Sequence, residues 1–259
     1  YIVKPNDYMI GFDVRSQGLN QVLNTAKPLD LEWDLKAFRN EKSISYENKY
    51  TEIYFEHKEG KVDYAGLGAK EEETLEKPTF IAFKQHFFTS ILVSKTPFEK
   101  AQLVSTNLMN DEKVDTTFTK SFKANLPLAF TNGELDYKLN WYLGPSDYKT
   151  LASYDQNLEK IITLGWGIIG WINRFIFVPL FGFLGSYIDY GIAIILFTIL
   201  IKLAMSPITF KSFLSQAKMK VLRPELDLLK KKHGDNQQAY AMDQMKLFRE
   251  AGVNPLGGC

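Results

Sequence analysis

The sequence predicts a multi-domain chain: an antiparallel β-sandwich, then an α-helical membrane segment, then an α-helical hairpin. Three observations carry this reading. Over residues 1–150, β-branched and aromatic residues mix with charged ones between turn signals. From Ile161 to Met205 only Arg174, Asp189 and Lys202 are charged. From Pro207 onward charge returns, mostly basic, with apolar residues at helical spacing. The net charge of +1 hides the asymmetry: by segment it is roughly −5 over 1–159, +2 over 160–206 and +4 over 207–259.

The β-segment is read from "YTEIYFEH" (50–57), "TFIAFKQHFFTSILVS" (79–94) and "LDYKLNWYL" (135–143). Turn signals such as "HKEGK", "TNGEL" and "GPSD" bound them. In the first, Tyr50, Glu52, Tyr54 and Glu56 alternate with Thr51, Ile53, Phe55 and His57, so one face can be buried. The aromatics have two readings, core and cross-strand pairs or a sugar platform, and the first is favoured.

Residues 151–187 read as linker and interfacial helix. Ser153 to Asp155 offer caps for a helix beginning near Leu158. The following apolar run of about thirty residues is punctuated by glycines and Pro179, which argues against one uninterrupted span. Trp166 and Trp171, with Arg174 beside them, are the anchors of a helix lying at headgroup level. A transmembrane helix over 161–178 is the rival.

Residues 188–207 read as a transmembrane helix, with Tyr190–Ser206 at the short end of a span and extension possible at either end. Lys202 interrupts it, and a charge at the centre of a spanning helix costs roughly 2.5–3.5 kcal/mol on insertion scales. Two explanations remain open, a stem that snorkels to the nearby interface and a charge kept for function. Lys211, Lys218, Lys220 and Arg223 follow the span, so its C-terminal side is expected in the cytoplasm and the β-domain outside.

Residues 208–259 read as a cytoplasmic helical hairpin and the lead-in to a further span. Met219, Leu222, Leu226 and Leu229, then Met242, Met245 and Phe248, recur at three- and four-residue spacing. "KKHGDNQQ" separates the halves, with Gly234 suited to follow one helix and Asp235 or Asn236 to cap the next. The basic residues Lys218, Lys220, Arg223, Lys230, Lys231 and Lys232 admit three readings: a solvated face, attraction to anionic lipid, or contact with nucleic acid or a ribosome.

No enzyme chemistry is visible. The single cysteine excludes an internal disulfide and a cysteine-based zinc site, and His57, His86 and His233 lack ligand spacing. No phosphate-binding or nucleophile motif occurs. No cofactor or metal is implied. A start at Tyr1 rather than Met and a stop just after "NPLGG" are what a fragment is expected to show.

Several stretches together resemble the YidC-type membrane protein insertases. They are Lys202 followed by Met205-Ser206-Pro207, "AKMK" followed by "L.PE", the charged hairpin, "GVNPLGGC", and upstream "YLGPSDYKTLASYD" with "LEKIITLGW". The resemblance is dense over Leu135–Cys259 and thin before it. It implies that the β-segment is part of a periplasmic supersandwich and that Ile161 to about Gly185 includes an amphipathic helix on the outer leaflet. The apolar run would be the first helix of a five-helix core. Lys202 would occupy the place, five before Pro207, where the family usually has an arginine lining a hydrophilic groove. The implied partners are nascent membrane proteins, the ribosome and Sec translocon, and membrane lipids, with no nucleic-acid specificity. The implied location is the bacterial inner membrane. Architecture alone also permits a single-pass anchored sensor with an outer β-domain.

Overall fold

The computed structural model describes residues 1–57, 60–234 and 236–252. Lys58 and Glu59 of "HKEGK", Asp235, and residues 253–259 of the closing motif lie outside the described residues. Two units are present, Tyr1–Thr163 and Leu164–Cys259.

The first unit is a sandwich of two antiparallel sheets. Its strands are β1 (Ile2–Val3), β2 (Met9–Arg15), β3 (Leu29–Phe38), β4 (Glu52–His57), β5 (Lys61–Ala65), β6 (Lys70–Glu76), β7 (Phe80–Lys84), β8 (Phe88–Ser94), β9 (Lys100–Asn107), β10 (Phe118–Leu128) and β11 (Asp136–Pro145), with a short helix α1 (Ile44–Lys49) before β4. Seven strands pair in the order β1-β2-β11-β8-β7-β4-β5, and four in the order β3-β10-β9-β6. The stretch 79–94 is thus a hairpin of two strands rather than one. In "TNGEL", Asn132 and Gly133 both take positive φ (53° and 81°), and Thr131 and Glu134 exchange backbone hydrogen bonds across the turn.

Between the sheets, Trp33 stacks on Phe83 at 3.8 Å between ring centroids and meets Trp141 edge-on at 5.0 Å. Ile53, Phe55, Ile81 and Leu92 of one sheet face Leu103, Phe122 and Leu126 of the other, all buried. These aromatics are core. At one end, Lys120 of β10 donates from Nζ to the carbonyls of Thr51 (2.6 Å) and Gly66, tying the two sheets together. Burial pushes its pKa down.

Strand β4 is buried on both faces, Ile53 and Phe55 on one and Tyr54 on the other. The second face is covered by residues expected to be linker. Helix α2 (Tyr148–Ala152), capped by Asp147, whose side chain accepts from Thr150 N, leads to a 3-10 turn at Leu158–Ile161. Leu151, Leu158 and Ile161 are fully buried against Tyr54, Phe80, Ile91 and Tyr142. The helix expected to begin near Leu158 with caps at 153–155 does not form. Asp155 and Asn157 take positive φ, which breaks helical propagation and turns the apolar side chains onto the sheet.

The second unit is helical. A continuous run of 21 residues, Gly167–Tyr187, comprises α3 (Gly167–Ile172), a π turn at Asn173–Phe177 and α4 (Val178–Tyr187). Gly170, Gly182, Gly185 and Pro179 do not interrupt it, whereas Gly165 and Gly167, at positive φ (92° and 57°), stand where the apolar run of about thirty residues is broken ahead of α3, as expected. Pro179 sits in the first turn of α4, directly after the wider π turn, where its missing N–H is most easily tolerated. Helix α5 (Tyr190–Val221, 32 residues) passes through Pro207 without a break, so helix continues well beyond the expected boundary at 207. Helices α6 (Arg223–His233) and α7 (Gln237–Glu250) follow. Gly234 (φ 53°) closes α6, and the Asn236 side chain caps α7 by accepting from Ala239 N at 3.1 Å.

Candidate functional site

Ile, Leu and Phe dominate the first four turns of α5, and a helix satisfies every interior backbone group without solvent. Phe177 and Phe181 pack on Phe197 at 5.6 and 5.8 Å, and Phe181 meets Tyr190 at 6.1 Å. Ala193, fully buried, is the small residue that lets the helices approach there.

Lys202 stands 12 residues into α5, about 18 Å along its axis, and is exposed with no carboxylate partner among the described residues. At 3.6 residues per turn, Thr198, Lys202, Ser206, Thr209, Ser212 and Gln216 fall within one arc of about a third of the helix. Thr198 Oγ1 donates to Ile194 O (2.8 Å) and Thr209 Oγ1 to Met205 O (2.9 Å), so these donors are satisfied within the helix. Pro207 supplies no N–H to the carbonyl four residues before it, that of Leu203. The sequence reading singled out Lys202 and missed this polar stripe. The signal was there, in the recurrence 198, 202, 206, 209.

Trp166 and Trp171 are 87% and 57% exposed, and Arg174 is exposed. Trp166 is the residue before α3, and Trp171 packs on Phe175 at 5.7 Å. Asn173 donates from Nδ2 to Leu164 O at 2.6 Å, folding the lead-in onto the first helical turns. Both Gly167–Tyr187 and Tyr190–Val221 are long and apolar enough to cross a membrane, by length and composition.

Lys218 and Lys220 occupy the last turn of α5, and Lys230, Lys231 and Lys232 the last turn of α6, all exposed. There they complement the helix dipole, which gives part of this basic charge a structural cause. Arg223 opens α6, next to Pro224. His233 Nε2 and Asp243 Oδ2 lie 2.8 Å apart, and the imidazole holds the Asp243 carboxyl below its ordinary value. This contact sets the rotation of α7. Tyr240, Leu247 and Phe248 turn inward, whereas Met242 and Met245 are 71% and 58% exposed. The two methionines thus leave the stripe expected to close the hairpin.

The sandwich, the apolar helices and the hairpin agree with two family models. The YidC periplasmic domain matches residues 1–179, and the 60Kd inner membrane protein matches residues 180–259. The chain belongs to the YidC family. Curated proteins named membrane protein insertase YidC are similar throughout. That of Parabacteroides distasonis is 32% identical over 273 residues, covering 100% of this chain and 42% of its own. That of Amoebophilus asiaticus is 38% identical over 234 residues, covering 88% and 37%. That of Bacteroides fragilis is 31% identical over 271 residues, covering 100% and 43%. The chain thus spans about two fifths of the length of these relatives. YidC-family membership makes this an inner-membrane protein, and the anchored-sensor architecture is set aside.

Proposed function

We propose that the protein is a membrane protein insertase and chaperone, acting without covalent catalysis, in which the Lys202 face of α5 lines a hydrophilic groove. The single observation that supports this most is the polar stripe around Lys202, on a helix otherwise built of Ile, Leu and Phe. A polar segment crossing hydrocarbon loses its hydration and its partners. A wet groove with hydroxyls and one ammonium part-way across supplies substitutes for both. The membrane potential then draws an acidic segment outward, at about 2.3 kcal/mol per charge per 100 mV. Lysine keeps the charge of the arginine usual at this place but not its planar fork, so the interaction relies on charge rather than bidentate geometry.

In this reading the β-unit is periplasmic and the hairpin cytoplasmic. At 1.5 Å per residue α5 is about 48 Å long, against roughly 30 Å of hydrocarbon, so its basic end stands clear of the bilayer. Trp166, Trp171 and Arg174 anchor the preceding helix at the outer interface and meet lipid there. Lys218, Lys220, Arg223, Lys230, Lys231 and Lys232 form the surface offered to the ribosome and the Sec translocon. The substrates are nascent membrane proteins.

The test is insertion of a single-span substrate with an acidic translocated tail by the full-length protein in proteoliposomes. Lys202→Ala lowers the insertion rate about tenfold or more, equivalent to at least 1.4 kcal/mol, and Lys202→Arg retains it. Normal insertion by the alanine variant, at equal reconstitution, would overturn the groove reading.

A further inference from the structure

Ahead of α3 the chain folds back on the helix it is about to enter. Gly165 and Gly167 take positive φ on either side of Trp166, which is extended. A Cβ on Gly170 would run into the carbonyl of Gly165, so the lead-in backbone lies directly against α3 there. One turn further on, the Asn173 side-chain amide donates to Leu164 O at 2.6 Å. Asn173 is also the first residue of the π turn. Such a turn holds one residue more than an α turn, so relaxing it to α swings everything after it by about 100° about the helix axis. What comes after it is Phe177 and Phe181, whose rings meet Phe197 of α5. Thr198, Lys202, Ser206 and Thr209 lie about 100–180° round α5 from Phe197. The polar stripe is therefore turned away from the face that the two phenylalanines hold.

We infer that Asn173 is a positioning residue for insertion. Its clasp on Leu164 retains the π turn, the π turn sets the rotational phase of Phe177 and Phe181, and their grip on Phe197 points the Lys202 stripe away from the preceding helix. The last step rests on the groove reading above; the first two do not. Turns of this kind are rare and concentrate at functional sites. Here a side chain at the first position ties the turn to a backbone carbonyl nine residues earlier, a bond that a plain α-helix of the same sequence has no need of. Leucine is close to asparagine in size, lacks the amide and favours α-helix more strongly, so Asn173→Leu removes the clasp and lets the turn relax.

The experiment uses the full-length protein in proteoliposomes with two readouts. Phase is read as crosslinking by a short bismaleimide between Phe181→Cys and Phe197→Cys, with the native cysteines replaced by Ser. Insertion of a single-span substrate with an acidic tail is read in the native background. Asn173→Leu lowers both at least fivefold. Deleting Ile176 as well takes the extra residue out of the turn, returns Phe177 and Phe181 to phase and restores both, a rescue that general damage to the helix would not show. Lys202→Ala keeps the crosslink while losing insertion, so failure of the groove reading appears in insertion alone. Undiminished crosslinking in Asn173→Leu would overturn the inference, as would a loss that deletion of Ile176 does not restore. Full insertion by Asn173→Leu despite a lost crosslink would overturn the positioning role.

Discussion

The side-chain amide of Asn157 donates to Oε1 of Glu56 at 2.7 Å, joining the lead-in to the second unit to strand β4 of the seven-stranded sheet. Glu56 is buried, and its other oxygen accepts from Thr79 Oγ1. Lys160 Nζ adds a bond to Gly60 O at 3.1 Å. Glu56→Ala strands two donors and costs about 1–3 kcal/mol, read as a lower denaturation midpoint of the β-unit transition. Hydrogen exchange over residues 153–162 rises with it. An unchanged midpoint and unchanged protection would show that the carboxylate does not fasten this segment.

Ile161 offers a sharper test of where the sandwich ends. It is fully buried among Tyr54, Phe80 and Tyr142 contacts on the outer face of the sheet. Ile161→Ala leaves a cavity there and costs about 2–5 kcal/mol in chemical denaturation. Were residues 151–163 a free linker, the substitution would cost nothing measurable.

Acid should loosen the β-unit through Glu71. Its carboxylate accepts from the backbone N–H of Gly66 and Gly68, which lowers its pKa below the ordinary 4.5 despite some burial. A depressed folded value means the stabilisation is complete above pH 4.5 and is lost as pH falls through the folded pKa. Glu71→Gln should therefore flatten the acid limb of the stability–pH curve while leaving the difference from wild type constant above that pH. An unchanged acid limb would assign the loss to other carboxylates.

The polar stripe on α5 predicts graded effects. Thr198→Val and Thr209→Val remove hydroxyls already bonded within the helix, so helix content stays the same. Together they lower insertion of an acidic-tailed substrate a few-fold, on the order of 1 kcal/mol, less than Lys202→Ala does. Equivalent substitutions at Leu203, off the stripe, leave insertion unchanged. Equal losses at both positions would remove the stripe's special role.

The depth of the helix before α5 can be read from its own fluorophores. Trp166 and Trp171 are both exposed, five residues apart, at one end of the Gly167–Tyr187 run. With the other tryptophans replaced by Phe, lipids brominated near the headgroup should quench both more strongly than lipids brominated at the chain ends. Stronger quenching of Trp171 at the bilayer centre would make the helix a span instead of an interfacial anchor.

Much of the architecture was legible in order and kind. The β-rich first part, the apolar middle and the basic helical end each follow from patterning over many residues, where single exceptions average out. The strand at Glu52–His57 was visible, but its alternation suggested one buried face and the structure buries two. That second burial depends on Leu151, Leu158 and Ile161, which sit about a hundred residues away in sequence and have no local signature of packing. Met242 and Met245 failed for a related reason. Two overlapping stripes fit α7 equally well by spacing, and a contact to another helix, His233 with Asp243, chooses between them.

By itself the sequence determined what each segment can be: which stretches pair as strands, which run suits a bilayer, where Lys202 interrupts it, and that charge returns as a basic hairpin. Those are local properties, set by side-chain period, turn chemistry and hydropathy. Tertiary structure alone decided which faces are used. It placed the expected linker on the sheet through Glu56 and Asn157, and it turned the methionines of α7 outward. On α5 it carried the helix through Pro207, so that the hydroxyls of Thr198 and Thr209 share one unbroken face with Lys202. The physical reason is that burial is a sum over distant partners, whereas propensity is a sum over neighbours.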